Sequence, residues 1–246
     1  MIDFFMGFVL SFLVGLLAYK RKSLDLSGLL AAIVIGTFLY GFVGWFMFFM
    51  LMVFFVSSSL ISRFNLDKKA SNRNYIQVFA NGGLAFVLAI IYAVNPEPLL
   101  YVLILTSIAV SASDTWSSEI GRLSKTKPKV IFTNKEIPMG LSGGVTKLGF
   151  LASLAAGLVF ALLSLFYVSI FDALFIFMFA FIGGVFDSLL GVIQVKYKDI
   201  RSNKLTEKIT DFTIYHSGIK WLDNNLVNFL SNSFAVLLLF IVYIWL

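Results

Sequence analysis

The sequence predicts an all-α integral membrane protein, a polytopic bundle of about eight transmembrane helices, from three observations. Of its 246 residues 59% are hydrophobic and the mean hydropathy is +0.93, whereas soluble domains contain about 45–50% apolar residues. Eight apolar runs approach the roughly 20 helical residues that cross a bilayer core. All 19 Lys and Arg fall in alternate connections between these runs. We therefore expect residues 1–246 to form one multi-pass domain in the cell membrane.

The eight predicted spans follow the apolar runs in chain order. The fifth run is short, and we expect it to continue as a polar helix through Trp116 to Gly121. Tight turns are expected at Gly41–Gly44 and Asn95–Pro98, where glycine and proline interrupt the pattern. The spans are Phe4–Tyr19, Leu26–Gly41, Trp45–Ile61, Tyr75–Val94, Leu99–Ser113, Leu148–Val168, Ala173–Val195 and Leu226–Leu246.

The positive charges predict the orientation of the bundle. They lie in four connections, residues 20–25, 62–74, 114–147 and 196–225, while the intervening connections carry no Lys or Arg. Because cationic loops are retained in the cytoplasm, both termini should lie outside and the active face should be cytoplasmic. Topology also explains the net charge of +6, so no nucleic acid partner is expected.

The polar stretch from Ser111 to Lys147 is the first candidate for chemistry. Asp114 and Glu119 stand at the end of the fifth run, and carboxylates suit Mg²⁺, which prefers oxygen ligands and substrate phosphates. On a regular helix the two acids point about 140° apart. They can therefore reach one ion only if the helix breaks or each reaches around a side. The alternative is a solvated helix end, in which Glu119 pairs with Arg122.

Asp187 is a second candidate, because an acid about two turns inside a span is costly. Gly183, Asp187, Gly191 and Gln194 share one helix face, and Ser188 follows the acid. The alternative is a structural ion pair between Asp187 and Arg73 or a lysine.

Two further spans carry polar faces at their beginnings. Arg73, Gln77 and Asn81 follow one another at intervals of four residues, so that they share one helix face. Arg73 could bind a phosphate there. The alternative is that the amides of Gln77 and Asn81 form hydrogen bonds between helices. The last span opens with Asn224, Asn225 and Asn228, for which helix capping is the alternative to a functional role.

The loop before the sixth span is rich in glycine and lysine. It contains Lys135 and the run GLSGGVTK at residues 140–147, in which glycines allow backbone N–H groups to turn toward an anion. Ser142 and Thr146 are expected either to cap the next helix or to bind phosphate. The G-x-x-x-x-G-K-[ST] spacing is missing, so this is not a Walker A loop.

The final loop, residues 196–225, mixes lysines with apolar side chains. Two interpretations remain open, an amphipathic segment at the membrane interface and a folded cap over the active face. The apolar residues concerned are Ile209, Phe212, Ile219 and Trp221.

Together these features favour a cytoplasm-facing site where a nucleotide meets a phosphorylated lipid on Mg²⁺. The chain has no cysteine and one histidine, His216, which excludes thiolate chemistry and multi-histidine metal sites. Phosphoryl transfer needs neither residue, since it depends on positioning and charge neutralisation.

The same residues resemble a known family. SASDTWSSEIG at 111–121, with Pro128, Thr133, Pro138 and GLSGGVTKLG at 140–149, is similar to the integral membrane family that contains plant phytyl-phosphate kinase and transmembrane protein nineteen, the domain-of-unknown-function family ninety-two. FDSLLGVIQ at 186–194, RNYIQVFANGG at 73–83 and DNNLVNFLS at 223–231 match further blocks. One departure is Ser113, where the family usually has alanine.

The resemblance implies a kinase that adds a second phosphate to an isoprenyl monophosphate, with CTP or another nucleoside triphosphate as donor and Mg²⁺ as cofactor. By this resemblance, functional roles are expected for Gln77, Asn81, Asp114, Glu119, Gly143, Gly144 and Asp187. In the resulting hypothesis Asp114, Glu119 and Asp187 hold the metal. Arg122, Lys135, Ser142, Gly143, Gly144 and Thr146 bind the nucleotide phosphates. The acceptor is bound by Arg73, Gln77, Asn81, Ser188, Gln194 and Asn228. A polyprenol kinase, a CDP-lipid synthase and an ion-coupled transporter remain alternatives.

Overall fold

The computed structural model describes residues 1–64, 72–133 and 135–245, and in this part of the chain eight helices are long and apolar enough to cross a membrane. The prediction of a polytopic helical bundle is therefore confirmed. The helices are α1 Ile2–Lys20, α2 Leu26–Val43, α3 Trp45–Arg63, α4 Tyr75–Val94, α5 Pro98–Gly121, α6 Lys147–Ser164, α7 Ile170–Ile193 and α8 Asn224–Ile244. Part of the predicted loop 62–74, and the last residue of the predicted eighth span, Leu246, lie outside the described residues.

The helix ends differ from the predicted spans by a few residues. α6 ends four residues early, because the chain leaves the helix at Leu165 and turns before Ser169. α7 then begins at Ile170, where Ser169 and Asp172 form a reciprocal capping box. The expected polar extension of the fifth span is confirmed, since α5 is continuous to Gly121.

Side-chain caps start four of the helices at the end of the bundle that carries the cationic loops. Asp25, Asn74, Thr146 and Asp223 each accept a hydrogen bond from a backbone N–H in the first turn of α2, α4, α6 and α8. Such caps satisfy amide donors that have no partner within the helix. The cap of α8 is therefore Asp223, and the predicted cap of Asn224, Asn225 and Asn228 is wrong.

Helix α5 is the centre of the bundle. It packs against α3, α4, α6, α7 and α8. Two thirds of its apolar window is buried, compared with 22–44% for the other helices. Its many small residues, among them Ser107, Ala109, Ser111, Ala112 and Ser113, are fully or almost fully buried, and small residues let membrane helices approach closely. The polar end of α5 is consequently held in the middle of the loop-bearing end of the molecule.

The loops add five short strands that the sequence did not predict. β1 Lys129–Val130 pairs with β2 Gly144–Val145, and β3 Lys196–Asp199 lies between β4 Leu205–Thr206 and β5 Thr213–Ser217, all antiparallel. The final loop is thus a small folded unit rather than an extended interfacial segment. Ile209 and Trp221 remain strongly exposed, and their placement at the membrane interface stays a prediction.

The three-stranded sheet of the final loop, β3 to β5, is anchored to the end of α7. Lys196 Nζ donates hydrogen bonds to the carbonyl oxygens of Gly191 and Val192, both at 2.9 Å. A cation at a helix C-terminus satisfies carbonyls that have no helical partner. Burial lowers the pKa of the Lys196 ammonium, and the negative charge of Glu207 acts in the opposite direction.

Candidate functional site

One cavity of about 520 Å³ opens at the end of the bundle where the cationic loops gather. All four of these loops contribute to its wall, through Leu24, Arg73, the 139–146 segment, and Glu207 with Asp223. Loops that lie up to 199 residues apart in the chain, as Leu24 and Asp223 do, therefore meet at one end, as the charge pattern predicted. The compartment that this end faces stays a prediction.

A pair of carboxyl groups on α5 and α7 lines the cavity. The side chains of Asp114 and Asp187 lie close enough to interact directly with each other. Two carboxylates this close repel unless a proton or a cation lies between them. The convergence predicted from the two separate sequence blocks is therefore realised in the fold, and among the described residues Asp187 forms no ion pair with Arg73 or a lysine.

Polar side chains from α8 complete the surroundings of Asp187. Ser231 Oγ donates a hydrogen bond to Asp187 Oδ2 at 3.1 Å. Asn228, with its amide oriented so that both neighbours are satisfied, donates to Asp187 Oδ2 at 3.3 Å and to the Asn224 carbonyl at 2.8 Å. Ser231 was missed by the sequence analysis, although it shares a helix face with Asn224 and Asn228 at spacings of four and three residues.

Glu119 lies in the same cavity but on another side of α5. Because α5 is a regular helix through this region, the acid points away from Asp114, as the spacing of five residues requires. Across the residues the structure describes, no group of three His, Asp or Glu side chains is close enough to hold one metal ion. A site in which Asp114, Glu119 and Asp187 all bind the same ion is therefore not formed.

Arg73 carries a positive charge that interacts with the carboxylate of Glu119. Burial lowers the pKa of the Arg73 guanidinium, and the negative charge of Glu119 works against that shift. Arg73 is also tied down through its backbone, which bonds with Ser23 and Asp25, and through a hydrogen bond from Nη2 to Ser62 Oγ at 3.4 Å. The Glu119–Arg122 pair stays a prediction, and beside it the structure shows an electrostatic interaction between Glu119 on α5 and Arg73 just before α4.

Gln77 and Asn81 line the cavity beside Arg73, but much of their hydrogen-bonding capacity is used locally. Gln77 Oε1 accepts from the Asn74 N–H at 3.1 Å in the capping box of α4. Asn81 Nδ2 donates to the Gln77 carbonyl at 2.9 Å. The Asn81 carbonyl accepts from Ser111 Oγ at 2.7 Å, which joins α4 to α5.

The glycine loop, residues 140–146, also lines the cavity and rests directly on α7. Gly143 has φ +85°, and a Cβ there would lie 2.7 Å from the Val192 nitrogen. A Cβ on Gly191 would lie 2.5 Å from the Gly143 nitrogen. Both positions need glycine because two backbones touch. The loop is thereby fixed next to the helix that carries Asp187.

Ser142 shows what the glycine loop can bind. Its backbone N–H donates to Glu207 Oε1 at 2.5 Å, and its hydroxyl donates to Glu207 Oε2 at 3.1 Å and to Asn224 Oδ1 at 3.2 Å. The predicted anion position therefore holds an anion from the protein itself, the carboxylate of Glu207 on the connection after β4. No sequence pattern marked Glu207, because its partner is 65 residues away.

The remaining predicted residues divide into three groups. Arg122 and Gly144 line the cavity, and so does Ser188, whose hydroxyl bonds to the Gly184 carbonyl. The hydroxyl of Thr146 caps α6, so it is unsuited to bind phosphate. Lys135 is exposed and Gln194 is buried with both amide atoms unpartnered among the described residues, and neither lines the cavity. The structure therefore does not bring Lys135 and Gln194 to the cavity.

Comparison with known proteins agrees with this architecture. The profile described as integral membrane protein DUF92 matches residues 9–236. Protein PGR of Arabidopsis thaliana is 34% identical over 91% of this chain and 90% of its own length. An uncharacterised membrane protein of Methanocaldococcus jannaschii is 31% identical over 66% of this chain and 70% of its own length. No solved structure matches the chain. The chain belongs to the DUF92 family of integral membrane proteins.

Proposed function

We propose that the protein is an isoprenyl-phosphate kinase, which makes a prenyl diphosphate from a prenyl monophosphate and a nucleoside triphosphate such as CTP. The observation that carries the proposal is the close approach of Asp114 and Asp187 in a cavity that is also lined by an anion-binding glycine loop. A paired acid site and an anion site within one cavity suit a metal-bound phosphate.

Asp114 and Asp187 are the residues that would hold Mg²⁺. Mg²⁺ commonly binds through one or two carboxylates together with water and phosphate oxygens, so two acids suffice and Glu119 is not needed. When bound, the ion would neutralise charge on the transferred phosphoryl group. Ser231 and Asn228 orient Asp187 through their hydrogen bonds to Oδ2, as outer partners of metal ligands do.

The glycine loop would receive the nucleotide phosphates. The Ser142 N–H already binds a carboxylate, and a phosphate oxygen can take its place once Glu207 moves aside. Arg122 and Lys208 line the same cavity and would supply positive charge. Lys208 takes the role that the sequence analysis gave to Lys135, because among the described residues it is the lysine that lines the cavity.

Arg73 would bind the phosphate of the lipid acceptor from the other side of the cavity, assisted by Gln77 and Asn81. In the reaction an anionic oxygen of the acceptor phosphate attacks the terminal phosphorus of the nucleotide. A phosphorus–oxygen bond forms to the acceptor, the bond to the leaving nucleoside diphosphate breaks, and no strong base is required. The cationic side chains lower the repulsion between the two phosphates.

The test is a product assay with purified full-length protein. It is incubated with geranylgeranyl or phytyl monophosphate, MgCl₂ and each of CTP, ATP, UTP and GTP, and lipids are analysed by mass spectrometry. The expected product is a prenyl diphosphate whose formation stops with EDTA. A prenyl monophosphate made from the free alcohol, or a CDP-lipid, would assign the site to a polyprenol kinase or a CDP-lipid synthase instead. The absence of any phosphorylated product would refute the proposal.

The carboxyl pair also favours a second candidate, an ion-coupled transporter. Acids that contact each other between two membrane helices can bind and release a proton or cation as coupling groups do. Proteoliposome flux distinguishes the candidates, because a transporter moves a labelled solute without consuming nucleotide and loses that flux in Asp187→Asn. The glycine loop with its bound carboxylate has no evident role in such a carrier, which is why the kinase is preferred.

A further inference from the structure

The cavity that holds the acids also extends away from them, between α1, α2 and α3. We call this part of the cavity the apolar arm. Its walls are mainly apolar, with Ser11 as a polar exception, and include Val14, Ala32, Ile35, Leu51, Met52 and Phe55. The polar and apolar parts form one continuous space, so a single ligand can occupy both.

Helix α4 marks the border between the two parts. Arg73, Gln77 and Asn81 form a polar row that begins just before the helix, whereas Val78 and Gly82 form an adjacent apolar row, and both rows line the cavity. At Gly82 the missing side chain keeps the wall open, since a Cβ there would lie 3.1 Å from Ile35 Cδ1. A ligand held by Arg73 at its anionic end therefore meets hydrocarbon walls immediately beyond.

The apolar arm lies at the least enclosed side of the bundle. α1 packs mainly against α2, and only 22% of its apolar window is buried, the lowest share of the eight helices. Lipid-facing side chains flank the arm on each helix, for example Leu13 on α1, Val34 on α2 and Val56 on α3. The space next to α1 is thus close to the hydrocarbon of the bilayer.

We propose that the apolar arm binds the head-proximal part of the hydrocarbon tail of a phosphorylated lipid whose phosphate is held by Arg73. This inference rests on the proposed function for the nature of the lipid. The cavity volume of about 520 Å³ lies within the range of roughly 300–1,000 Å³ for sites that hold one small ligand. It has too little room for a nucleotide and an entire long tail, so the distal tail leaves beside α1 into the bilayer.

A groove on the outside of the bundle is the competing location. It lies between α4 and α8, is lined by Phe79, Val87 and Phe229 among others, and shares Asp223 and Asn225 with the main cavity. A tail placed there would pass Asp223, whose negative charge disfavours a phosphate moving by the same route. The apolar arm has no acid on its walls, and we therefore assign the tail to it.

Photocrosslinking tests the assignment without requiring turnover. Full-length protein in phosphatidylcholine vesicles is irradiated with a C20 prenyl monophosphate that carries a diazirine on its second isoprenoid unit, and the adducts are located by mass spectrometry. We expect adducts on α1, α2 and α3 that unlabelled geranylgeranyl monophosphate displaces. Displaceable adducts on Phe79 or Phe229, or adducts that no competitor displaces, would overturn the assignment.

A matched pair of substitutions supplies the control. Ala32→Phe places a ring in the arm, whereas Val34→Phe places the same ring on the lipid-facing side of α2, where Val34 is 40% exposed. Because a filled site excludes its ligand, we expect Ala32→Phe to lower the adduct yield at least about fivefold and Val34→Phe to leave it unchanged. Equal yields in the two variants would contradict the assignment. If Ala32→Phe does not fold, Val14→Phe and Leu13→Phe repeat the comparison on α1.

The product assay and the photocrosslinking experiment can refute the proposed kinase activity and the proposed tail site independently. Displaceable adducts in the arm without diphosphate formation would retain the lipid site and refute the kinase. Diphosphate formation with adducts only in the α4–α8 groove would retain the kinase and refute the arm as the tail site.

Discussion

The two sides of helix α5 use their acids in opposite ways. Asp114 faces another acid, Asp187, while Glu119, only five residues later, is near the guanidinium of Arg73. An acid that faces a cation is neutralised within the protein and holds elements together. An acid that faces an acid is neutralised only by something added, a proton or a metal ion. This contrast is the basis for our proposal that the Asp114 side binds the metal ion, whereas Glu119 positions Arg73.

The largest expected effect is that of Asp187→Asn. Because the substitution removes one of two proposed metal ligands, we expect prenyl diphosphate formation to fall at least about 100-fold, as when positioned charge stabilisation is lost. The midpoint of thermal unfolding should stay equal or rise, since repulsion within the pair is relieved. Asp172→Asn, on the same helix but at its opposite end, should retain activity. Wild-type activity in Asp187→Asn would remove the central argument for the pair.

Gly143→Ala tests whether the glycine loop must rest on α7. Gly140 and Gly143 both have φ near +85 to +88°, but only Gly143 is in close contact with backbone, whereas the nearest atom to a Cβ at Gly140 is 3.7 Å away. Both alanines carry the same conformational strain, of order 1 kcal/mol. We expect activity to fall about tenfold or more in Gly143→Ala and much less in Gly140→Ala. Similar losses in both would show that strain alone matters.

Glu119→Gln should show the opposite pattern to Asp187→Asn. Loss of the carboxylate leaves the guanidinium of Arg73, which is partly buried, without the nearby opposite charge, and we expect a loss of stability of about 1–2 kcal/mol. Activity should decrease by less than in Asp187→Asn. The double variant Arg73→Gln with Glu119→Gln should regain part of the stability in a double-mutant cycle measured by chemical unfolding. Additive losses would mean that the two residues are not coupled.

A smaller effect is expected for Glu207→Gln. Glu207 differs from Asp187 and Glu119 because its carboxylate binds the glycine loop. Its carboxylate accepts two hydrogen bonds from Ser142, and a neutral amide competes less well with phosphate for the same donors. We expect the KM for the nucleotide to fall about three- to tenfold, since charge-assisted hydrogen bonds are worth about 1.5–3 kcal/mol against roughly 1 for neutral ones. Asp211→Asn, on the exposed turn before β5, is the control. A higher KM in Glu207→Gln would assign Glu207 to substrate binding instead.

Lys135→Ala should have the smallest effect. Lys135 is exposed and outside the cavity, so its loss should change the KM for the nucleotide by less than about twofold, the scale of screened surface charges. Lys208→Ala removes a lysine at the cavity wall and should raise this KM more. Because both variants lose one positive charge, a larger effect in Lys208→Ala shows that the position of the charge matters. Equal effects would mean that the loop cations act only through their summed field.

The sequence predicted those features of the fold and the site whose signal lies within one segment of the chain. The length of the apolar runs predicted the eight helices, and the distribution of Lys and Arg predicted that the four loops lie at one end. Both signals arise because charged groups are insoluble in hydrocarbon. The i, i+4 pattern also placed Gln77 and Asn81 on one face toward the cavity. It failed at Gln194, which follows the face of Asp187 but stands at the point where α7 ends and the chain turns away.

The sequence by itself determined that this protein is a membrane bundle with acids, glycines and cations at one end, since span length and charge placement are set residue by residue. Only the tertiary structure decided which acid faces which partner. Asp114 meets Asp187 across 73 residues, Ser142 meets Glu207 across 65, and Glu119 turns to Arg73 because α5 does not break. Side-chain partners across a bundle depend on how helices rotate and pack against each other, and no periodicity within one helix contains that information.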